Sequence, residues 1–121
     1  MRPRHYDMNG QPMTMEEWAA VFEDTPSRII GQEVVGWGPG KKWVSTVWLG
    51  LDHSFTDTGP PIIFETMVFV KGWNGLRGQT TYCHEIWMDR YATKEDAVMG
   101  HLMAVRKYRY NRRQRRKRLQ L

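Results

Sequence analysis

The sequence has only one cysteine, no long apolar run and none of the short motifs that mark common catalytic sites. The single cysteine, Cys83, excludes an internal disulfide and is typical of a protein kept in a reducing compartment. No apolar run approaches the roughly 18 residues needed to cross a bilayer. Residues 1–12 lack the apolar stretch of a secretory signal. We therefore expect a cytoplasmic protein with no membrane partner.

Catalytic and metal-binding motifs are also lacking. The chain has no GxSxG, no HExxH and no Walker-type glycine loop, so we expect no enzymatic activity and no cofactor. Cys83 and His84 are adjacent in a predicted strand and would point to opposite faces, which is poor geometry for joint chelation. An acid–base set of Asp52, His53 and Glu65 has no support from neighbouring residues. We predict neither catalytic nor metal-binding residues.

Acidic residues are missing from the C-terminal end of the chain. From Arg106 onward there are nine Lys or Arg and no Asp or Glu, which leaves nine basic and 13 acidic side chains in the preceding 105 residues, a net charge of −4. Such asymmetry indicates that one end of the molecule contacts nucleic acid or another polyanion. The alternative is a tail that folds back on its own acidic body or on another copy.

The hydrophobic pattern predicts an α+β fold with the element order α-β-β-β-β-α. Thr14 and Glu17 form a capping-box pattern at the start of the first helix, and the residue before Pro26 ends it. The last helix begins at Thr93. Its predicted apolar stripe consists of Val98, His101, Leu102, Val105 and Tyr108. Because the connections between strands are short and rich in turn residues, we expect a four-stranded antiparallel β-meander with both amphipathic helices packed on one face.

Three segments follow from this pattern. Residues 1–13 are predicted to form an irregular N-terminal arm and residues 14–105 a single α+β domain. Residues 106–121 are predicted to form an Arg-rich helical extension or tail. The four strands are expected within the segments SRIIGQEVV, WVSTVWLGLDH, IIFETMVFV and TTYCHEIWMDRY.

The candidate nucleic-acid-binding residues lie in the basic segment. Arginine makes bidentate contacts with phosphate, and tyrosine can stack on an unpaired base. The predicted binding residues are Arg106, Lys107, Tyr108, Arg109, Tyr110, Arg112, Arg113, Arg115, Arg116, Lys117 and Arg118. Trp37 and Trp73 are assigned to Gly-rich loops. They are candidate anchors for a protein partner, with packing over the core as the alternative.

Four segments together are similar to a known family. They are MNGQPMTMEEWAAVFED, VSTVWLGLDH, GPPIIFETMVF and MDRYATKEDAVMGH. In this order they resemble a family of short uncharacterised proteins of actinobacterial tailed phages, over most of residues 8–104. The resemblance implies a phage origin and expression in the cytoplasm of the bacterial host, with a virion location left open. It supplies no activity and no catalytic residues, and the Arg-rich end departs from the family pattern.

Two hypotheses follow. In the first, a small non-enzymatic phage accessory protein binds nucleic acid or a ribonucleoprotein surface, the ribosome included, through its Arg-rich tail. In the second, a protein-interaction module inhibits a host protein during host takeover, or joins the virion as an accessory component. It would act through the sheet face and the loop tryptophans. A pocket for a small anionic ligand on the sheet is a third, weaker option. RNA and DNA are not distinguished, and the oligomeric state is unknown.

Overall fold

The structure, a computed structural model, describes residues 2–109. In this range a four-stranded antiparallel sheet is flanked by helices at both ends of the chain, which confirms the predicted α+β class. The helices are α1 (Met15–Glu23), the one-turn α2 (Thr25–Arg28) and α3 (Lys94–Tyr108). The strands are β1 (Ile29–Val35), β2 (Lys42–Trp48), β3 (Phe64–Asn74) and β4 (Gln79–Tyr91). The strands lie in the sheet in chain order, as in the predicted meander.

The interior strand β2 divides the sheet into two faces. Successive strand residues point to opposite sides, so Val44, Thr46 and Trp48 share one face, and all three are fully buried. Their cross-strand partners on β3, Val68, Thr66 and Phe64, are buried as well. This side of the sheet therefore holds the core.

Helix α3 covers the core face with small side chains. The Oγ1 atom of Thr93 accepts a hydrogen bond of 3.1 Å from the backbone N–H of Asp96 and caps the helix. Ala97, His101 and Ala104 are the buried residues of α3. Because two of these three residues are alanines, the helix backbone lies close to the sheet.

The predicted apolar stripe of α3 is partly wrong. His101, Val105 and Tyr108 do pack inward, but Val98 and Leu102 point away from the sheet and are 42% and 55% exposed. The alanines at the start and end of the contact bring the helix too close to the sheet for larger side chains to fit between them.

Helix α1 begins with the predicted capping box. The Oγ1 atom of Thr14 accepts from the backbone N–H of Glu17, and Oε1 of Glu17 accepts from the backbone N–H of Thr14 at 2.9 Å. Trp18 stacks on Phe22, with ring centroids 4.7 Å apart. The indole N–H of Trp18 donates to the carbonyl of Leu49 at 2.9 Å and ties α1 to the chain after β2.

Strand boundaries differ from the sequence prediction in three strands. Strand β1 begins at Ile29, because Ser27 and Arg28 belong to α2, and β3 begins at Phe64 rather than at Ile62. Strand β2 ends at Trp48 rather than continuing to His53, because Gly50 adopts a left-handed backbone (φ +68°) and lies against the rings of Trp18 and Trp48. Strand β3 continues to Asn74, so Trp73 lies on a strand and not in a loop as predicted.

Candidate nucleic-acid interface

The described part of the basic segment lies at the C-terminal end of α3. Arg106 and Lys107 occupy its last turn, where positive charge is favoured by the helix dipole, and both are exposed. The Nζ atom of Lys107 lies 5.5 Å from the ring centroid of Trp87 on β4 and 5.3 Å from that of Tyr108. The ring centroids of Trp87 and Tyr108 are 6.4 Å apart. The helix end is thus fixed to the sheet by aromatic packing.

The exposed cations of the last turn are not neutralised by the described part of the molecule. Within residues 2–109, neither Arg106 nor Lys107 has a carboxylate oxygen within 4.0 Å. The ion pairs in this range join Arg2 to Asp52, Arg90 to Glu65 and His101 to Glu33. Within residues 2–109, no carboxylate therefore competes for these two side chains.

Most of the predicted binding residues lie beyond the described part of the chain. They are Tyr110, Arg112, Arg113, Arg115, Arg116, Lys117 and Arg118. Tyr108 is half-buried against Trp87, so its ring is used in packing at the point where the basic segment begins.

The structure brings Trp37 and the start of the basic segment together. Trp37 is 49% exposed and lies between β1 and β2. It lines a groove of about 580 Å³ with Val105 and Arg109 of the helix end. The same groove is also lined by Glu33, whose Oε1 atom lies 2.9 Å from Nε2 of His101. The sequence placed Trp37 and Arg109 in separate candidate sites because it does not show that this connection and the end of α3 meet.

The second face of the sheet carries an aromatic cluster that the sequence pattern did not single out. Trp43 lies 5.4 Å from Phe69 and 6.5 Å from Tyr82, measured between ring centroids. The Nζ atom of Lys71 lies 5.3 Å from the Tyr82 ring centroid. A groove of about 500 Å³ beside the cluster is lined by Val34, Trp43, Asn74, Arg77, Thr81, Tyr82 and Cys83. Of the seven described residues that line this groove, Arg77 carries a charge. The sequence did contain a signal for this cluster. Side chains alternate between the two faces along β2, which places Trp43 on the face opposite the core.

The other predicted anchor, Trp73, is 67% exposed near the end of β3. A large apolar ring with that exposure is available to a partner. It is not part of the Trp37 groove, so the two tryptophans do not form one joint anchor.

His101, the histidine of α3, belongs to a series of hydrogen bonds that runs from Glu33 to Thr66. The Nδ1 atom of His101 lies 2.7 Å from Oγ1 of Thr46, which is 2.6 Å from Oγ1 of Thr66. The Nε2 atom of the ring lies 2.9 Å from Oε1 of Glu33. Both ring nitrogens have partners and His101 is 5% exposed, so this cluster joins the helix to the sheet.

Asp52, which the sequence sets beside His53, anchors the N-terminal arm. Its Oδ2 atom accepts hydrogen bonds from Nε and Nη2 of Arg2 at 3.1 and 2.6 Å. Burial by itself would raise the pKa of Asp52. The backbone N–H groups of Ile62 and Ser54, the Arg2 guanidinium and the Ser54 hydroxyl outweigh that effect and lower its pKa from 3.8 to about 2. The carboxylate is held ionised by contacts that link the arm to the loop after β2.

Metal-binding clusters and membrane-spanning helices are both absent from residues 2–109. No group of three or more His, Cys, Asp or Glu side chains in this range is placed to hold a metal ion. None of its helices has the length and apolarity needed to span a bilayer.

The fold and these surfaces define a small α+β protein with a basic C-terminal end. Comparisons with protein-family models, with curated proteins and with solved structures found no match. The similarity to a family of phage proteins therefore stays a prediction from the sequence, and the function is inferred from the surfaces themselves.

Proposed function

We propose that this chain is a small non-enzymatic phage accessory protein that binds nucleic acid, or a ribonucleoprotein surface, through residues 106–121. We also propose that it acts in the cytoplasm of the bacterial host. One observation carries the proposal. Arg106 and Lys107 are exposed and have no ion-pair partner within residues 2–109, at the end of a helix that is packed on the sheet. Seven further Lys or Arg follow them in the chain.

The charge of the rest of the molecule supports a contact confined to this end. Residues 1–105 carry a net charge of −4 and would repel a polyanion, whereas residues 106–121 carry nine positive charges. Approach of nucleic acid is therefore favoured at one end of α3 and disfavoured elsewhere. Phosphate contacts of this type give affinity without sequence preference.

Fixed geometry at the start of the segment should lower the cost of binding. Tyr108 is packed on Trp87, so the backbone that carries the first basic side chains is held in place before a ligand arrives. Less conformational freedom is lost on association when part of the binding segment is held in place.

The groove shared by Trp37 and Arg109 favours a ligand with unpaired bases. The exposed indole of Trp37 lies beside the start of the basic segment and can stack on an unpaired base. Paired bases in a duplex do not offer a free face. We therefore expect single strands to bind more tightly than duplexes of equal charge density.

Two variants of the full chain with equal net charge test the proposal. The tail variant carries Arg112→Gln, Arg113→Gln and Arg115→Gln. The body variant carries Arg4→Gln, Lys41→Gln and Lys94→Gln, three exposed positions outside the basic segment. Each variant lowers the net charge of +5 by three.

Fluorescence anisotropy with a labelled single-stranded oligonucleotide should separate these variants. Loss of three phosphate contacts should weaken binding by the tail variant about tenfold or more at low salt, because each contact releases a counterion. The body variant should bind like the wild type. Equal loss in both variants would show that only net charge matters and would refute a dedicated site.

A protein partner is the second candidate function, and the aromatic groove on the second sheet face is the observation that favours it. Trp43 and Tyr82 line this groove next to Arg77, and aromatic and arginine side chains are the commonest anchors at protein interfaces. Its test is affinity capture from host lysate with the full chain and with Tyr82→Ala. A protein that survives nuclease treatment and is lost with the variant would support it. Loss of every captured protein on nuclease digestion would count against it.

A further inference from the structure

The outer face of α3 carries a contiguous apolar surface that no described residue covers. Four large side chains on this face, here called the outer stripe, are exposed. They are Val98 (42%), Met99 (58%), Leu102 (55%) and Met103 (64%). They form two adjacent pairs one helical turn apart, 98–99 and 102–103, and this places them on one side of the helix, opposite the buried Ala97, His101 and Ala104. Exposed apolar patches of this kind mark interaction surfaces.

Opposite charges stand at the two ends of the outer stripe. Glu95 lies in the first turn of α3 and Arg106 in the last, and both are exposed. At 100° per residue they project in the same direction as the stripe, about 16 Å apart along the helix axis. The surface is therefore acidic at one end, apolar in the middle and basic at the other end.

We propose that the outer stripe binds a second copy of this chain, with the two α3 helices antiparallel about a two-fold axis between Gly100 and His101. A two-fold interface uses the same patch on both copies and must be complementary to itself. The pairs brought together are Glu95 with Arg106, Val98 with Met103, and Met99 with Leu102. Each pair occurs twice.

The charge pattern selects this occupant and this direction. A parallel arrangement would set Glu95 against Glu95 and Arg106 against Arg106, which is repulsive at both ends. An anionic lipid surface would attract Arg106 but repel Glu95 and the neighbouring Asp96. Of these three arrangements, the antiparallel second copy is the one that pairs both the acidic and the basic end with opposite charge.

The size of the patch sets the expected strength of association. The four side chains expose roughly 400 Å² on each copy, which is the size of a functional patch on a small protein. Pairing would remove roughly 800 Å² from water, with the charged ends in addition, which is below the size of stable complexes and corresponds to a weak, transient interface. We therefore expect a reversible dimer in the micromolar range.

Charge exchange between the two ends gives the decisive experiment. Sedimentation velocity of the nuclease-treated full chain, from about 1 to about 200 µM, covers the range in which such an interface dissociates. Glu95→Arg alone and Arg106→Glu alone should each be monomeric, because each creates two like-charge contacts. An equimolar mixture of these two variants should form heterodimers, because both contacts are then between opposite charges. Misfolding would not be repaired by mixing.

Two further variants test whether the outer stripe itself forms the contact. Leu102→Glu at the centre of the stripe should raise the dimer dissociation constant by about tenfold or more. Met15 on α1 is 64% exposed, as Met103 is, but lies outside the outer stripe. Met15→Glu should therefore leave the dimer dissociation constant unchanged. The tail variant keeps Arg106 and should dimerise like the wild type. Because Arg106 belongs to both proposals, Leu102→Glu separates them: it should lose the dimer and keep nucleic-acid binding. A wild type that stays monomeric throughout, or a mixture that stays monomeric, would overturn the proposal.

Discussion

Replacing Gly31 by alanine should destabilise the fold, because the imidazole of His101 fills the space beside this glycine. A Cβ atom on Gly31 would lie 2.7 Å from Nε2 of His101 and 2.9 Å from its Cδ2 and Cε1 atoms. The ring is held on both sides, by Thr46 at Nδ1 and by Glu33 at Nε2. It has no room to retreat without giving up one of these contacts.

Two opposing effects set the size of the loss. Moving a packed group to accept an extra methyl in a core costs about 1–3 kcal/mol. Alanine also restricts the unfolded chain, which by itself would stabilise the fold by about 0.4–1 kcal/mol. The free energy of unfolding of Gly31→Ala should therefore fall by about 1–2 kcal/mol. That is a substantial fraction of the stability of a small domain.

Urea unfolding followed by tryptophan fluorescence measures this loss, since the chain has six tryptophans. Gly75→Ala is the matched control, because nothing lies within 4 Å of its added Cβ. A double-mutant cycle with His101→Ala isolates the cause. Once the ring is removed, Gly31→Ala should cost close to nothing, which gives a coupling energy of about 1–2 kcal/mol between the two sites. An equal loss with and without the ring would refute the packing of His101 on Gly31.

Two more predictions concern stability. Because the pKa of Asp52 is lowered from 3.8 to about 2, its charged form stabilises the folded state above about pH 4, and this is lost as the pH falls toward 2. Asp52→Asn should therefore lose about 2 kcal/mol in urea unfolding at pH 7. Its deficit relative to the wild type should close between pH 4 and 2, whereas the exposed Asp57→Asn should show no deficit at either pH. Gly100→Ala should lower the melting temperature although alanine gains about 1 kcal/mol in a helix interior, because its Cβ would overlap the Tyr91 hydroxyl. A higher melting temperature would contradict the close contact between α3 and β4.

The elements that depend on local sequence were predictable. The capping box of Thr14 and Glu17 satisfies backbone groups three residues apart, so the start of α1 could be read directly. The buried face of α3 could not. The apolar pattern favoured Val98 and Leu102, but the sheet accepts only small side chains where the helix approaches it, and Ala97 takes that position.

The candidate site also has one part that the sequence predicts and another that depends on tertiary packing. The charge of residues 106–121 is a property of composition and is visible without a structure. The meeting of Trp37 with Arg109 depends on how the β1–β2 connection lies against the end of α3, which no local pattern encodes. The outer stripe was also hidden, because its residues look like core residues until the opposite face of the helix is seen to be buried.

The salt dependence of nucleic-acid binding by the full chain tests the central claim most directly. If six to nine basic side chains of residues 106–121 contact phosphates, the logarithm of the association constant should fall with the logarithm of salt concentration with a slope of roughly −4 to −8. The slope of the tail variant should be shallower by about 2–3, and that of the body variant should match the wild type. A salt-independent affinity, or the same slope for the wild type and the tail variant, would contradict the claim that this segment binds phosphate.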